Sequence, residues 1–289
     1  MRRLAILLLV LLTLGWSQAP ETPLVPLLWE FIDTRQPVNT QWPLHRGLRY
    51  WWAVTPWLYG GSQWWDLINH KPATLTNMAA SEGWKTDPQG WHAGQVVFDG
   101  TDDYVTTAGL LGTPIVITVS VVALTTSGAS GTSNQFFALG DYVGLQVNSS
   151  DQLEWAYYSG GSWVTNTISW GRNGTGWHHV VYGQATNNTS GHAEVFIDGI
   201  QVYDLTGDFP NIVYTGQGTD TYFGRHGNSS SRFLHGAIAD VRVWDRLLTA
   251  SEVQFLYQDI QDRGRFAFQR RLPQSLLNVS GGIPPGFLH

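Results

Sequence analysis

The sequence predicts an all-β protein, a two-sheet antiparallel β-sandwich closed by one short C-terminal helix. Three observations predict it. Charged residues make up only 13% of the 289, while Gly is 32 and Trp 15, a composition suited to many turns and aromatic sheet faces. From Gly47 to Tyr257, short β-forming runs alternate with clusters of Gly, Asn, Asp and Ser, the pattern of a sandwich or jelly roll. Only "TASEVQFLYQDI" (249–260) starts as a helix: Thr249 or Ser251 can cap it, and Val253, Leu256, Tyr257 and Ile260 follow at helical spacing.

In chain order, residues 1–19 read as an export signal. Arg2 and Arg3 precede an apolar run from Leu4 to Leu14 that is too short to span a bilayer comfortably, and Ser17-Gln18-Ala19 supplies small residues for cleavage. A cut after Ser17 is the alternative, because Pro20 follows Ala19 directly, and an uncleaved anchor is the other reading. The expected location is secreted or extracellular, with no membrane contact once the signal is removed. Residues 20–46, rich in Pro and Trp, read as an N-terminal arm.

The sandwich is expected over 47–260. Its candidate strands are 48–54, 95–100, 103–108, 115–124, 135–140, 142–148, 152–158, 178–184, 193–198, 200–205, 221–226 and 237–245. Residues 261–289 read as an extended tail, in which "RGRFAFQRR" could form an edge strand covered by a neighbour. The net charge of −6 argues against a nucleic-acid partner. The absence of cysteine from the sequence excludes disulfides and thiolate metal sites.

"HAEVFIDGIQVYD" (192–204) poses the first chemical question, because it holds two acids four apart, Glu194 and Asp198. Asp198-Gly199 is a strong type I′ hairpin signal. Centred there, the hairpin pairs Ile197 with Ile200, Phe196 with Gln201, Val195 with Val202 and Glu194 with Tyr203. Val195, Ile197, Ile200 and Val202 would share the core face, and Glu194 would face outward. Residues four apart on a strand are about 13 Å apart, whereas glycosidase carboxyls stand about 5–5.5 or 6.5–9.5 Å apart. The pair therefore reads as turn and surface chemistry.

"GWHHVVYGQATNNTSGHAEVFIDGIQVYD" resembles the central signature of laminin-G-like, concanavalin A-like lectin/glucanase domains of bacterial and phage type. "LHRGLRYWWAV" with "WWDLINHKPATLTN" resembles their opening, and "VVFDGTDDYVTT" their Phe-Asp-Gly strand pair. "TYFGRHGNSSSRFLHGAIADVRVWDRLLTASEVQFLY" resembles their closing strand and helix. These motifs span 47–257 in the family's order. "DLINHKPATL" is shorter than the family's usual stretch there, and neither the arm nor the tail has a counterpart. The resemblance implies a concanavalin A-like jelly roll. It leaves function open, since the fold carries lectins, adhesion modules and glycosidases.

Three chemistries are weighed. For catalysis, the family's hydrolases carry Glu-x-Asp-x-Glu on one strand, and no such run occurs here, nor any Gly-x-Ser-x-Gly or His-Glu-x-x-His. The protein is therefore expected not to be an enzyme. For metal, similar domains often hold one Ca²⁺ near the sheet rim, and Asp66, Asn69, Asp102, Asp103 and Asp240 are candidate oxygen ligands. Their alternative roles are turn capping and pairing with Arg242 or Arg246. His178 and His179, adjacent on a strand, point to opposite faces and do not chelate together. For sugars, Trp155, Tyr157, Tyr158, Trp163 and Trp170, on a strand and its following loop, are candidate stacking platforms. The alternative is that these rings fill the core. Sequons at Asn148, Asn173, Asn187, Asn188, Asn228 and Asn278 would mark surface loops.

The leading expectation is a secreted, non-catalytic carbohydrate-binding or adhesion module whose partner is a glycan or cell-surface polysaccharide, with Ca²⁺ as its one candidate cofactor. The alternative is a structural or assembly protein of an extracellular fibre, surface layer or virion that self-associates through arm and tail. A glycoside hydrolase is the third reading. A glycan array separates the first two.

Overall fold

A computed structural model describes residues 43–54, 61–79, 82–86, 94–126, 133–159, 161–209, 211–214, 218–227 and 232–269. The signal, the arm up to residue 42, the tail beyond Gln269 and the sequons at Asn228 and Asn278 lie outside the described residues.

A 3-10 turn, Pro43–His45, opens the fold. The strands are β1 (Leu48–Ala53), β2 (Gln63–Trp65), β3 (Pro72–Thr76), β4 (Gly83–Lys85), β5 (Gln95–Asp99), β6 (Tyr104–Thr107), β7 (Val116–Thr125) and β8 (Asn134–Leu139), then β9 (Val143–Val147), β10 (Gln152–Ser159), β11 (Ser162–Ser169), β12 (Trp177–Ala185), β13 (Asn187–Ile197), β14 (Ile200–Phe209), β15 (Thr221–Phe223) and β16 (His235–Trp244). Helix α1 (Ala250–Gln269) follows. The strands form two antiparallel sheets, ordered β14-β13-β12-β7-β16-β5-β4 and β11-β10-β9-β8-β15-β6-β3-β2. β1 pairs with the second half of β16, alongside β5 on the first half. The ends of the domain are therefore neighbours, and the fold is the expected sandwich.

Alternation drives the assembly. Val119, Val121 and Ala123 on β7, Val180 and Tyr182 on β12, and Val241 and Val243 on β16 face the second sheet's Leu145, Val147, Leu153, Trp155 and Tyr157 in one core. Trp52 of the first sheet meets Phe223 of the second edge-on at 5.1 Å, and Trp64 meets the same ring at 5.9 Å. Truncating such a core aromatic costs about 3–5 kcal/mol.

The central strands of the first sheet, β7, β12 and β16, are buried on both faces. The sheet's outer face, with Val122, Trp177, Val181, Phe196 and Trp244, is covered by Val253, Leu256 and Ile260 of α1 and by Leu44 and Leu48. The Trp244 indole donates to the Leu44 carbonyl at 2.8 Å, so the last residues assigned to the arm belong to the sandwich. Thr249 and Glu252 form a capping box. The Glu252 N–H donates to Thr249 Oγ1 at 3.2 Å, and the Thr249 N–H donates to Glu252 Oε2 at 2.8 Å.

Several sequence expectations need correction. β2, β3, β4 and β11 were not foreseen as strands, and β11 occupies what reads as a loop after residue 159. Over 263–269 a helix stands where an edge strand was expected, because α1 runs on to Gln269 through Arg, Ala and Gln, good helix formers that outweigh Gly264. The 192–204 hairpin turns at Asp198 (φ 53°) and Gly199 (φ 79°) as expected. A bulge next to Val195 then sets Val195 opposite Tyr203 and Glu194 opposite Asp204. Ile200 is left 69% exposed rather than in the core, and Val202 is also exposed. Glu194 and Phe196 do share the outer face, but α1 covers it, so both are buried. Burial pushes the Glu194 carboxyl up to about 7, with the nearby Asp204 and Glu252 charges adding to the rise and His192 opposing it.

Candidate functional site

Four consecutive strands, β8 to β11, place their outward side chains in rows on the face of the second sheet turned away from the first. The strand register sets these rows. Gln135, Gln146 and Glu154 are successive cross-strand partners and form an amide and carboxylate row. One step along lie Ala138, Gly144, Ala156 and Thr165, a row of small residues. Beyond them Tyr158 pairs with Trp163. Where the small row lacks bulk, a recess of about 120 Å³ opens, lined by Gln135, Gly144, Gln146, Glu154, Ala156, Trp163, Thr165, His226 and Arg232. Gly144 is needed there, since a Cβ would stand 3.2 Å from Gln135 Nε2.

Two segments wall the recess. His226 follows β15, whose end turns at Gly224 (φ +79°), where a Cβ would come within 2.5 Å of the Phe98 ring. Arg225 lies over the Tyr104 and Tyr222 rings at 4.4 and 4.7 Å. Its guanidinium donates to the Gly227 carbonyl at 2.9 Å, which holds the His226 loop in place. Arg232 approaches from the segment before β16.

The polar atoms of the recess are committed in one direction. Gln135 Nε2 donates to the Phe137 and Leu145 carbonyls at 2.6 and 3.1 Å. Gln146 Nε2 donates to Glu154 Oε1 at 2.5 Å, and Asn148 Nδ2 donates to Glu154 Oε2 at 3.2 Å. Arg232 stands 3.8 Å from Glu154 Oε1. Gln135 Oε1, Gln146 Oε1 and His226 Nδ1 are buried without a hydrogen-bond partner among the described residues. Burial, reinforced by the Arg232 charge, holds the His226 imidazole below its ordinary value, although Asp141 opposes the shift. Its Nε2 lies 3.5 Å from Asp141 Oδ1.

The five sugar candidates separate. Trp155 (1% exposed), Tyr157 (1%) and Trp170 (2%) are core rings, because the inward positions of β10 and the end of β11 face the first sheet. They offer no ring to a ligand. Tyr158 and Trp163 lie outside, edge to face at 5.8 Å, and Trp163 is 36% exposed at the rim, 5.7 Å from the His226 ring. Sequence reasoning missed Gln135, Gln146, Glu154, His226 and Arg232. A signal existed for two of them, since the Asn148-to-Asp151 turn pairs Val147 with Leu153 and so Gln146 with Glu154.

A wider groove of about 530 Å³ runs past Arg49, Tyr50, Leu110, Ile115 and Asp245. Three of its polar side chains are already matched: Tyr50 donates to the Leu110 carbonyl at 2.8 Å, and Arg49 pairs with Asp245. Among the described residues it lacks the convergent open polar atoms that make a binding site.

The metal candidates also separate. Asp66 is buried and accepts N–H donors from Trp51 (2.7 Å), Ile68 (3.2 Å) and Asn69 (2.6 Å), so it caps a turn. Burial raises its carboxyl nonetheless. Asn69 donates to the Arg49 carbonyl at 2.5 Å. Asp240 receives Arg242 Nε at 2.7 Å and the Trp51 indole at 2.9 Å. These three are structural. Asp102 is exposed and outside any cluster, but Asp103 groups with Glu82 and Asp99, one oxygen of each lying within 4.8 Å of the others. Asp103 Oδ2 accepts the Asp99 N–H at 2.9 Å, while Oδ1 is buried without a partner among the described residues. Burial, with the charges of Asp99, Glu82 and Asp102, pushes Asp103 up to about 6. Such a set suits a hard cation taking oxygen ligands. Glu82 and Asp99 were missed because the 83–99 connection that folds β4 onto β5 is not legible as a pairing in the sequence.

His178 and His179 point to opposite faces as expected. His178 Nδ1 and the His179 N–H both meet the Asp198 carboxylate, at 2.8 and 3.0 Å, and His179 Nε2 meets Ser120 Oγ at 2.8 Å.

The sequence model of the concanavalin A-like lectin/glucanases superfamily (Laminin_G_3) matches residues 99–254, more than half the chain. No curated protein matches the sequence. Among solved structures, the botulinum neurotoxin type G receptor-binding domain superposes with a TM-score of 0.52 at 12% identity, over 74% of this chain and 51% of that one. The Trypanosoma rangeli sialidase in complex with the inhibitor DANA superposes with a TM-score of 0.53 at 16% identity, over 81% of this chain and 38% of that one. The chain thus spans about half of the first and under two-fifths of the second. At these identities the likeness shows the fold alone.

Proposed function

Because the chain belongs to the concanavalin A-like lectin/glucanases superfamily, we propose that it is a secreted, non-catalytic carbohydrate-binding or adhesion module whose sugar site is the recess on the second sheet. The observation that carries the reading is the set of rows: an exposed indole, Trp163, beside a small-residue depression floored by Gln135, Gln146 and Glu154. Sugars stack an apolar ring face on an aromatic side chain and direct their hydroxyls to fixed polar atoms. The leader read at residues 1–19 supports export to where glycans are met.

Binding without cleavage is supported by the lining. Among the described residues it carries one carboxylate, Glu154, whose oxygens are already held by Gln146 and Asn148. Two-carboxylate hydrolysis needs a second acid about 5–9.5 Å away across the bond to be cut. Ca²⁺ at Glu82, Asp99 and Asp103 completes the proposal as a structural ion that neutralises three converging acids. The deciding experiment is a glycan array with the purified chain and its Trp163→Ala variant. Specific binding that the variant loses supports the reading, and release of free sugar from any bound glycan overturns the non-catalytic part of it.

The assembly reading keeps one observation in its favour. β14 is an outer strand of the first sheet, with Ile200, Val202 and Leu205 exposed, and apolar edges invite pairing. Defined oligomers in light scattering, together with a blank array, would favour it.

A further inference from the structure

Resting on the carbohydrate-binding reading, the direction of the hydrogen bonds in the recess narrows the class of sugar. We infer that the recess reads hydroxyl donors, and therefore takes a neutral sugar residue and rejects sugars that carry a carboxylate, the sialic and uronic acids.

The argument starts from what each floor atom has left to give. The Gln135 amide spends both of its N–H groups on main-chain carbonyls, of Phe137 and Leu145. Its orientation is fixed by chemistry, since turning the amide over would set oxygen against two carbonyl oxygens. The same holds for Gln146, whose nitrogen faces the Glu154 carboxylate. Both amides therefore present an oxygen acceptor, with Gln146 keeping one further N–H, and both oxygens are buried without a donor among the described residues. His226 adds a third acceptor. With its imidazole neutral and Nε2 directed at Asp141, the proton belongs on Nε2 and the lone pair on Nδ1, which is also unpartnered. Gln135 and Gln146 are cross-strand partners, so their side chains leave the sheet about 5 Å apart at Cβ, the scale of one sugar ring.

Charge points the same way. Among the described residues Arg232 is the one cationic side chain lining the recess, and it stands 3.8 Å from the one carboxylate, Glu154. A sugar carboxylate reaching Arg232 would displace that pairing and lie beside the Glu154 carboxylate and two amide oxygens. A hydroxyl, by contrast, donates to any of the three acceptors and leaves the pair intact. A buried acceptor left unmatched is a standing penalty that a donor relieves, so hydroxyl donation gives discrimination as well as affinity.

The test uses the full chain and follows the Trp163 indole N–H by NMR. The probes are glucose, galactose, mannose and N-acetylglucosamine, set against glucuronate, galacturonate and N-acetylneuraminate. At least one neutral sugar is expected to bind, with the acids tenfold weaker or more, and Ala156→Leu, which fills the recess, should abolish it. The deoxy and deoxyfluoro analogues of the bound sugar then test direction, because fluorine accepts but cannot donate. Both should be equally weak at the hydroxyls facing the amides. An acid that binds as tightly as the neutral sugar, or a deoxyfluoro analogue that recovers the parent affinity, overturns the inference while leaving carbohydrate binding standing. Binding that survives Ala156→Leu moves the sugar out of the recess and overturns it too. If none of the seven sugars binds, the carbohydrate-binding reading fails and this inference falls with it.

Discussion

Tyr158 and Trp163 face each other across the β10–β11 pair, ring centroids 5.8 Å apart and nearly perpendicular. The same strand sends Trp155 and Tyr157 inward, so neighbouring aromatic positions have opposite duties. Trp163→Ala is expected to weaken glycan binding at least tenfold, about 1.4 kcal/mol, and to shift the melting temperature little. Trp155→Ala should cost about 3–5 kcal/mol of stability. Isothermal titration and thermal melts of the two variants check the division. Equal loss of stability in both would place Trp163 in the core.

Much of the fold was legible because it rests on period-two alternation and on turn residues with a fixed conformational duty. Asp198-Gly199 announced its hairpin, and Thr249 or Ser251 its helix start. What was not legible arises from contacts remote in sequence. The outward row Gln135–Gln146–Glu154 needs strand register across two hairpins, and Arg232 and His226 reach it through long connections. Glu194 was placed at the surface because nothing local shows that α1 returns to cover that face of the first sheet. Trp155, Tyr157 and Trp170 were candidates by residue type, and only the sandwich geometry shows that they point inward.

Asp103 is expected to exchange a proton for a cation. Its folded carboxyl lies at about 6, above its ordinary value of 3.8, so the folded state holds the proton more tightly than the unfolded chain. Without metal, stability should be greatest below about pH 4 from this group and fall as pH rises toward 6. Ca²⁺ at a hundredfold excess over its dissociation constant should restore about 2.7 kcal/mol. Asp103→Asn should remove both the calcium response and that part of the pH dependence, whereas Asp66→Ala should lower stability equally with and without calcium. Melting curves in calcium and in chelator, from pH 4 to 8, decide it, and coincident curves remove the ion.

Glu194 should add a second loss of stability at higher pH. Its carboxyl is raised to about 7 by burial against Gly183, where even a Cβ would meet Glu194 Oε1 at 2.8 Å. The stabilisation is fully present below about pH 4.5 and is lost as pH rises through 7. Glu194→Gln keeps the shape without the charge, so it should flatten the upper limb and gain on the order of 2 kcal/mol at pH 8. Denaturant titrations at pH 5 and pH 8 measure it. A variant that is less stable than the parent at pH 8 would mean that the ionised carboxylate has a stabilising partner.

Helix α1 should behave as part of the sandwich and not as an appendage. Leu256 is fully buried between Val253 and Ile260, against an outer sheet face that includes Val181, Phe196 and Trp244. A cavity there has rigid strands on one side and a capped helix on the other, so it cannot collapse freely. Leu256→Ala is therefore expected to cost about 2–5 kcal/mol. Glu252→Ala removes a capping acceptor and the paired contacts to Arg246 at 2.7 and 2.9 Å, on a partly exposed surface, and should cost about 1 kcal/mol. Phe255, 41% exposed on the same helix, serves as the control, and Phe255→Ala should cost well under 1 kcal/mol. Urea unfolding of the three variants tests the order. If Leu256→Ala is no worse than Phe255→Ala, the helix does not hold the first sheet.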